Sequence, residues 1–405
     1  MPTAAPSTPA VTAAIAAGCM VAFIGFGFAA TFGIFLRPMS AELGWNREIF
    51  SLSIAIQALF WGVTQPLAGM VADRFGTARV LAFGAIVSAA GFYLRGAVID
   101  PTVFIASGFI VGIGTGACSF PVVIVALGKI VEPARRSFIL GLGTAAASTG
   151  MFFAAPVSQF LIARVGWQNG ILVIAASFLL ILPFLMAIAR VSRPSAGGDE
   201  VRFGSAIRIA FADRAYVLLF FGFFVCGFHV AFIQTHLPAY IEDKGLAAAI
   251  GGWSLALIGL FNIAGSFLSG WAGQVYSKKK CLASIYAARA VVITAFLLLP
   301  LTPLSVYVFS GVMGLLWLST VPLTTGLVAQ TQGLRFLSTL AGLVFFSHQT
   351  GSFIGAWLGG RIFDLYQDYA PMWWAAVALG LLATFLHLPI RETPGTLARQ
   401  ERAVG

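Results

Sequence analysis

Gly69-Met70-Val71-Ala72-Asp73-Arg74-Phe75-Gly76-Thr77-Ala78-Arg79 places an acid, two arginines and two glycines between two long apolar runs, 47–72 and 78–98. A helix crossing a membrane needs roughly 20 apolar residues, at about 1.5 Å each, to span about 30 Å of hydrocarbon. Both runs are long enough, so the stretch reads as a short polar turn at a membrane surface. Asp73 stands at a helix end, and Arg74 and Arg79 share its surface. The three are placed to form an ion-pair latch between helices. On the other reading the cations serve topology alone.

Outward from this turn, breaks with charge or Pro and Gly divide the chain into twelve apolar spans: 11–36, 47–72, 78–98, 102–128, 137–162, 168–190, 214–240, 249–274, 280–299, 304–329, 337–360 and 371–390. The runs are continuous and do not alternate with period two, which selects helices over a β-barrel. Only 9% of the 405 residues are charged, against roughly 25% in soluble domains. That excludes a soluble enzyme and a disordered chain. Most Lys and Arg fall on one side of the membrane, with Glu42, Glu48, Asp100, Glu242, Asp243, Asp364 and Asp368 on the other. The net charge of +10 therefore reads as positive-inside topology with both termini cytoplasmic, in a bacterial-type inner membrane, and no nucleic-acid partner is expected. Cys19, Cys118, Cys226 and Cys281 lie singly in apolar segments and read as packing residues. No cofactor or metal is expected. Ala16-Ala17-Gly18-Cys19 mimics a lipoprotein cleavage box, but no basic residue precedes Arg37, so 11–36 is expected to be an uncleaved first helix.

The longest interior break, 191–213, contains Arg193, Pro194, Gly197, Gly198, Arg202, Arg208 and Asp213. It is expected to link an N-terminal six-helix half, 1–190, to a C-terminal one, 214–405. An offset of 201 residues maps Gly44 to Gly245, Gly69 to Gly270, Pro121 to Pro322, Gly141 to Gly342 and Gly150 to Gly351. Glu42 likewise matches Asp243, and Arg79 matches Lys280. Parallel six-helix repeats point to a transporter with its site between the halves.

The opening stretch resembles the loop 2–3 signature of the major facilitator superfamily, G-x-x-x-D-R-x-G-x-x-R. The resemblance implies an all-α polytopic fold of 12 helices in two pseudo-symmetric bundles, working by alternating access. A finer resemblance is to the monocarboxylate and oxalate:formate branch. Phe32-Gly33-Ile34-Phe35 followed by Glu42-Leu43-Gly44-Trp45-Asn46-Arg47 is similar to that branch's first outer loop, and Gly360-Arg361-Ile362-Phe363-Asp364 to its loop after helix eleven. Where the branch carries a helix-eight arginine after N-x-x-G, this chain has Asn262-Ile263-Ala264-Gly265-Ser266. The helix-one lysine and helix-eight aspartate of lactate carriers are also missing. These departures weigh against carrying lactate or oxalate specificity over directly.

No Asp or Glu stands in the middle of a predicted span, so a carboxylate proton relay has no candidate. Arg95 is read as structural, snorkelling outward toward Asp100. Arg289 falls near the bilayer midplane, where a bare guanidinium costs at least about 2.5 kcal/mol. It either meets a substrate carboxylate or gates, or it bonds helix-end carbonyls or hydroxyls. His229 and His236 share a face of span seven with Tyr240, and His348 lies mid-span eleven. A titrating histidine binds substrate or carries a proton; bonded structure is the alternative. Gln57, Trp61 and Gln65 form a stripe on span two, Asn262 and Ser266 on span eight, and Phe28, Thr31, Phe32 and Phe35 on span one.

These features predict a secondary transporter for a small organic solute, functional as a monomer in the lipid bilayer, with proton coupling through a histidine as one route. The leading substrate class is a small organic anion such as a monocarboxylate. The alternative is a neutral or weakly charged aromatic or heterocyclic compound, and the alternative from another class is a non-transporting receptor on the same scaffold. Arg289, His348, His229, Asn262, Gln57, Phe28 and Thr31 are the expected substrate contacts, and Asp73, Arg74 and Arg79 the expected gate.

Overall fold

Helices end where the sequence supplies a backbone that other residues resist. Gly76 (φ 95°) ends one helix before the next begins at Thr77, and Gly166 (φ 79°) separates two helices that otherwise run on from Pro133 to Leu179. The structure, a computed structural model, describes residues 8–119, 122–123, 133–191 and 203–404. In the first part, α1 (Thr8–Thr31) continues through a 3-10 turn (Phe32–Phe35) into α2 (Leu36–Leu43). Then come α3 (Arg47–Phe75), α4 (Thr77–Ala97), α5 (Pro101–Ala117), α6 (Pro133–Leu179) and α7 (Ile181–Val191). The second part holds α8 (Phe203–Ala212), α9 (Arg214–Asp243), α10 (Ala248–Val275), α11 (Lys278–Leu298), α12 (Pro303–Leu316) and α13 (Thr320–Gln332). It ends with α14 (Leu337–Tyr366), α15 (Ala370–His387) and α16 (Thr396–Val404).

Among the described residues nine helices are long and apolar enough to cross a membrane. One of these, Gly141–Val191, is 51 residues long and passes twice, turning at Gly166. Pro101–Ala117 is shorter and ends at Cys118; residues 120–121 and 124–128 of the predicted fourth span lie outside the described residues. Helix α14 is apolar only in part, because Ser347, His348, Gln349 and Thr350 interrupt it. With these the fold is an all-α polytopic membrane protein of two pseudo-symmetric six-helix bundles. Val291, Leu298 and Phe385 are exposed by two thirds or more on its outside, a surface suited to lipid and costly in water.

Each bundle has its own apolar core, one around Phe32, Phe92, Phe104 and Phe178, the other around Tyr216, Phe232, Phe309 and Trp373. The 201-residue repeat is visible as packing. Gly150 lies against the Phe23 carbonyl, and Gly351 lies against the Phe224 carbonyl. Both members of each pair differ by that offset. No side chain fits at either glycine, so the backbones of paired helices meet directly. Of the predicted linker, 192–202 lies outside the described residues and 203–212 is the helix α8.

Candidate functional site

The bundles meet at the acidic end of the molecule, around the turns 44–46, 244–247 and 367–369. Arg47 opens α3 and reaches the end of α9, where Nη1 and Nη2 bond Asp243 Oδ2 and Oδ1 at 2.6 and 2.8 Å. That two-point fork is the stronger form of ion pair. The guanidinium lies 3.6 Å over the Phe363 ring, and Nη1 also donates to Tyr369 Oη at 2.9 Å. Burial holds the Tyr369 phenol above its ordinary pKa, so its O–H donates onward to His236 Nδ1 at 3.1 Å. His236 in turn donates from Nε2 to the Ala356 carbonyl at 2.8 Å, and a carbonyl only accepts, which sets the tautomer.

Asp364, on α14, caps a helix of the opposite bundle. The backbone N–H groups of Arg47 and Glu48 donate to its two oxygens at 3.0 and 2.8 Å, meeting two of the donors that a helix start leaves open. Glu48 accepts from Trp357 Nε1 at 2.9 Å and from Arg361 at 3.0 Å. Arg37 adds Glu242 and Asp243 at 2.9 and 3.3 Å. Two glycines allow this closeness, because a Cβ on Gly33 would strike the Gln234 backbone and one on Gly360 would strike Arg47 and Ser51.

Below the latch lies a cavity of about 1570 Å³ between the bundles. It runs from Gly33 and Thr235 to Met70 and Trp271 near the basic end, where both side chains are more than half exposed. Phe26, Phe32, Trp61, Phe223, Phe345 and Phe346 supply its aromatic wall. Gln57, Gln65, Gln234, Gln349 and Thr324 supply amide and hydroxyl groups. Among the described residues that line it none is Asp, Glu, Lys or Arg, and His348 is the titratable one. The His348 ring is stacked on Phe345, with centroids 5.6 Å apart and planes at 6°.

Gln57 and His348 therefore line the cavity from opposite bundles. The other expected contacts are turned elsewhere in this conformation. Arg289 is fully buried away from the cavity, its Nη2 donating to Leu316 O at 2.7 Å and to Trp317 O. The cause is the end of α12 at Leu316, since the last carbonyls of a helix have no partner within it. Span ten breaks between α12 and α13, and the carbonyls freed there take the guanidinium. Asn262 holds the same break, accepting from Leu318 N at 2.9 Å while donating to Ser148 Oγ at 2.9 Å. His229 donates to the Ala376 carbonyl at 2.8 Å, behind α9. Thr31 bonds its own helix at Gly27 O, 3.0 Å. Phe28 packs against the first core, and its neighbours Phe26 and Phe32 line the cavity instead.

Arg95 departs from its expected place. It is buried, not snorkelling, and donates to Gln57, Ser53 and Ser107. Asp100 instead caps α5 by accepting from Val103 N at 2.9 Å. At the expected gate the Asp73 side chain lies outside the described residues. Arg74 sits 5.5 Å from its neighbour Phe75, and Arg79 donates to Phe75 O at 3.3 Å. Among the described residues the cross-bundle ion pairs are all at the acidic end. Sequence reasoning missed that latch, although its members were visible as the acidic side and as the two motif stretches, 42–47 and 360–364. It also passed over Gln234 and Gln349, whose signal was an amide inside an apolar helix.

Residues 17–356 match the profile of the Major Facilitator Superfamily. An uncharacterised MFS-type transporter of Bacillus subtilis (strain 168), YcxA, is 25% identical to this chain, over 84% of it and 86% of the relative. Monocarboxylate transporter 13 of Bos taurus is 23% identical, over 89% of this chain and 86% of its own. Among solved structures, a bacterial homologue of the human lysosomal transporter Spinster, in an inward-facing and occupied conformation, superposes with a TM-score of 0.77. It covers 94% of this chain and 97% of that one at 13% identity, a likeness of fold.

Proposed function

This chain belongs to the Major Facilitator Superfamily, and from that premise we propose that it carries a small, ring-bearing organic solute, neutral or weakly charged, across the cytoplasmic membrane by alternating access. The halves 1–190 and 214–405 rock about the cavity as a monomer, joined by a cytoplasmic linker at 191–213, with both termini cytoplasmic. One observation carries the solute class: the cavity of about 1570 Å³ has aromatic walls and amide groups, and no Asp, Glu, Lys or Arg among the described residues that line it. A fully charged solute leaving water needs an opposite charge to offset its lost hydration, whereas a ring with polar substituents finds what it needs here. Gln57 and His348 contact the solute in this reading. Arg289, His229, Asn262, Thr31 and Phe28 support the bundles.

The Arg47–Asp243–Asp364 latch acts as the extracytoplasmic gate, closed while the cavity faces the cytoplasm. Asp73, Arg74 and Arg79 form the opposite gate, engaged in the other state. A second reading, a small organic anion such as a monocarboxylate, is supported by the bovine relative's name and by His348, which in its protonated form would bring a positive charge into the cavity. Counterflow into proteoliposomes tests both, with labelled nicotinamide as the neutral ring and with labelled benzoate and lactate. The first reading expects nicotinamide to accumulate and the two carboxylates, both fully charged, to stay out. Accumulation of the two carboxylates alone would favour the anion. Ligand binding with no flux of any compound would leave a receptor.

A further inference from the structure

We propose that solute selection rests on glutamine amides locked so that their N–H groups, and not their oxygens, face the cavity, and that Arg95 is the positioning residue that locks the first of them. The inference rests on the reading of the cavity as the solute site. A free glutamine rotates and offers donor or acceptor alike, so by itself it discriminates little. Gln57 has no such freedom. Arg95 Nη1 lies 2.9 Å from Gln57 Oε1, and since a guanidinium only donates, the atom it holds is the oxygen. Nε2 is left toward the cavity with no protein partner among the described residues.

Arg95 is itself immobilised. It donates from Nε to Ser107 Oγ and from Nη2 to Ser53 Oγ, both at 3.0 Å. Its guanidinium carbon lies 4.8, 5.3 and 5.6 Å from the ring centres of Phe32, Phe92 and Phe104, whose faces stabilise the cation where no carboxylate does. The positive charge directly behind the amide also strengthens Gln57 as a donor.

The same device recurs. Two turns along α3, Trp61 Nε1 donates to Gln65 Oε1 at 3.1 Å; an indole N–H only donates, so Gln65 too presents nitrogen. From the opposite bundle His348 Nδ1 lies 3.3 Å from the Gln349 amide, a contact whose direction the imidazole tautomer sets. Gln234 Nε2, also in the lining, is buried with no partner among the described residues. A cavity built this way accepts solutes that carry hydrogen-bond acceptors, such as carbonyl oxygens and ring nitrogens. It rejects solutes whose polar groups only donate, because the amide N–H groups would then stay unmet.

Three ring probes of similar size separate the possibilities when titrated into the detergent-purified protein and followed by thermal shift and calorimetry. They are N,N-dimethylbenzamide (neutral, acceptor), benzoate (anionic, acceptor) and benzamidinium (donor only). The wild type is expected to bind N,N-dimethylbenzamide most tightly, benzoate more weakly because of its charge, and benzamidinium at least about tenfold more weakly than benzoate. Gln57→Glu keeps the shape and the Arg95 contact but offers oxygen. It should weaken the acceptors by about tenfold and reverse the ranking toward benzamidinium. Arg95→Lys retains a donor for Gln57 and should keep the wild-type ranking, whereas Arg95→Leu frees the amide and should flatten it. A merely structural arginine would change melting temperature without changing ranking. Equal binding of all three probes, no binding of either acceptor, or an unchanged ranking in Gln57→Glu overturns the proposal. Flux of nicotinamide with such a result would leave the transport reading standing. The ranking and its reversal without any flux would do the opposite.

Discussion

Arg95 and Arg289 are both buried inside the helical bundles, one in each half, and neither has a carboxylate partner among the described residues. They look alike in the sequence and act differently in the fold. Arg95 spends its donors on side chains, one of which faces the cavity. Arg289 spends a donor on backbone, at the place where span ten breaks before Pro322. A buried cation without an acid is therefore no sign of an anion site by itself; what matters is whether the groups it holds reach the cavity. Arg47 supplies the third case, a cation with an acid partner, and it lies at the junction of the bundles rather than in the cavity.

The largest effect is expected at Arg289. Arg289→Leu leaves the Leu316 and Trp317 carbonyls buried without a donor, at about 1–3 kcal/mol each, so thermal unfolding should fall by several degrees or more while the ranking of ring probes is unchanged. Lost binding with normal melting would return Arg289 to the solute and collapse its contrast with Arg95. Next comes the paired arginine. Asp243→Asn removes the charge from the fork and should cost the latched state about 2 kcal/mol, shifting the ratio of conformers by about thirtyfold. Spin labels at Ala41 and Tyr366, with the native cysteines replaced, should then report a longer distance across the acidic end. An unchanged distance would mean that the Asp364 cap and the Gly33 and Gly360 contacts close that end alone. The smallest effect is expected at Ser107→Ala, which takes one of Arg95's bonds at about 1 kcal/mol. Acceptor probes should weaken about twofold, since Ser53 and Gln57 still hold the guanidinium. A full loss of binding there would show that Arg95 is poised, not firmly held.

Most of the fold was legible because hydrophobic length, turn glycines and charge sidedness are local properties. The twelve spans, the two bundles and the 201-residue repeat all follow from them, and the Gly150 and Gly351 contacts show the repeat in three dimensions. The candidate site was legible only in part. The stripe Gln57–Trp61–Gln65 marks a polar face of α3 from spacing alone, and His348 reaches the same cavity. Helical spacing fixes a face, but it does not fix what that face meets. Asn262 and His229 each share a helix with residues that line the cavity, yet a few tens of degrees around the axis turn them to a helix break and to a neighbouring backbone.

Composition and periodicity by themselves determined that this chain is a helical, membrane-spanning duplication, because lipid leaves a backbone few ways to satisfy its hydrogen bonds. Only the tertiary structure decided which polar groups are consumed in holding the bundles together and which are left for a solute. Arg47 and Asp243 are 196 residues apart in sequence and meet in a 2.6 Å ion pair. Gln57 faces the cavity nitrogen-first because Arg95, on another helix, holds its oxygen. The orientation of an amide depends on its partner across the packing interface, and that partner is chosen by the assembled helices.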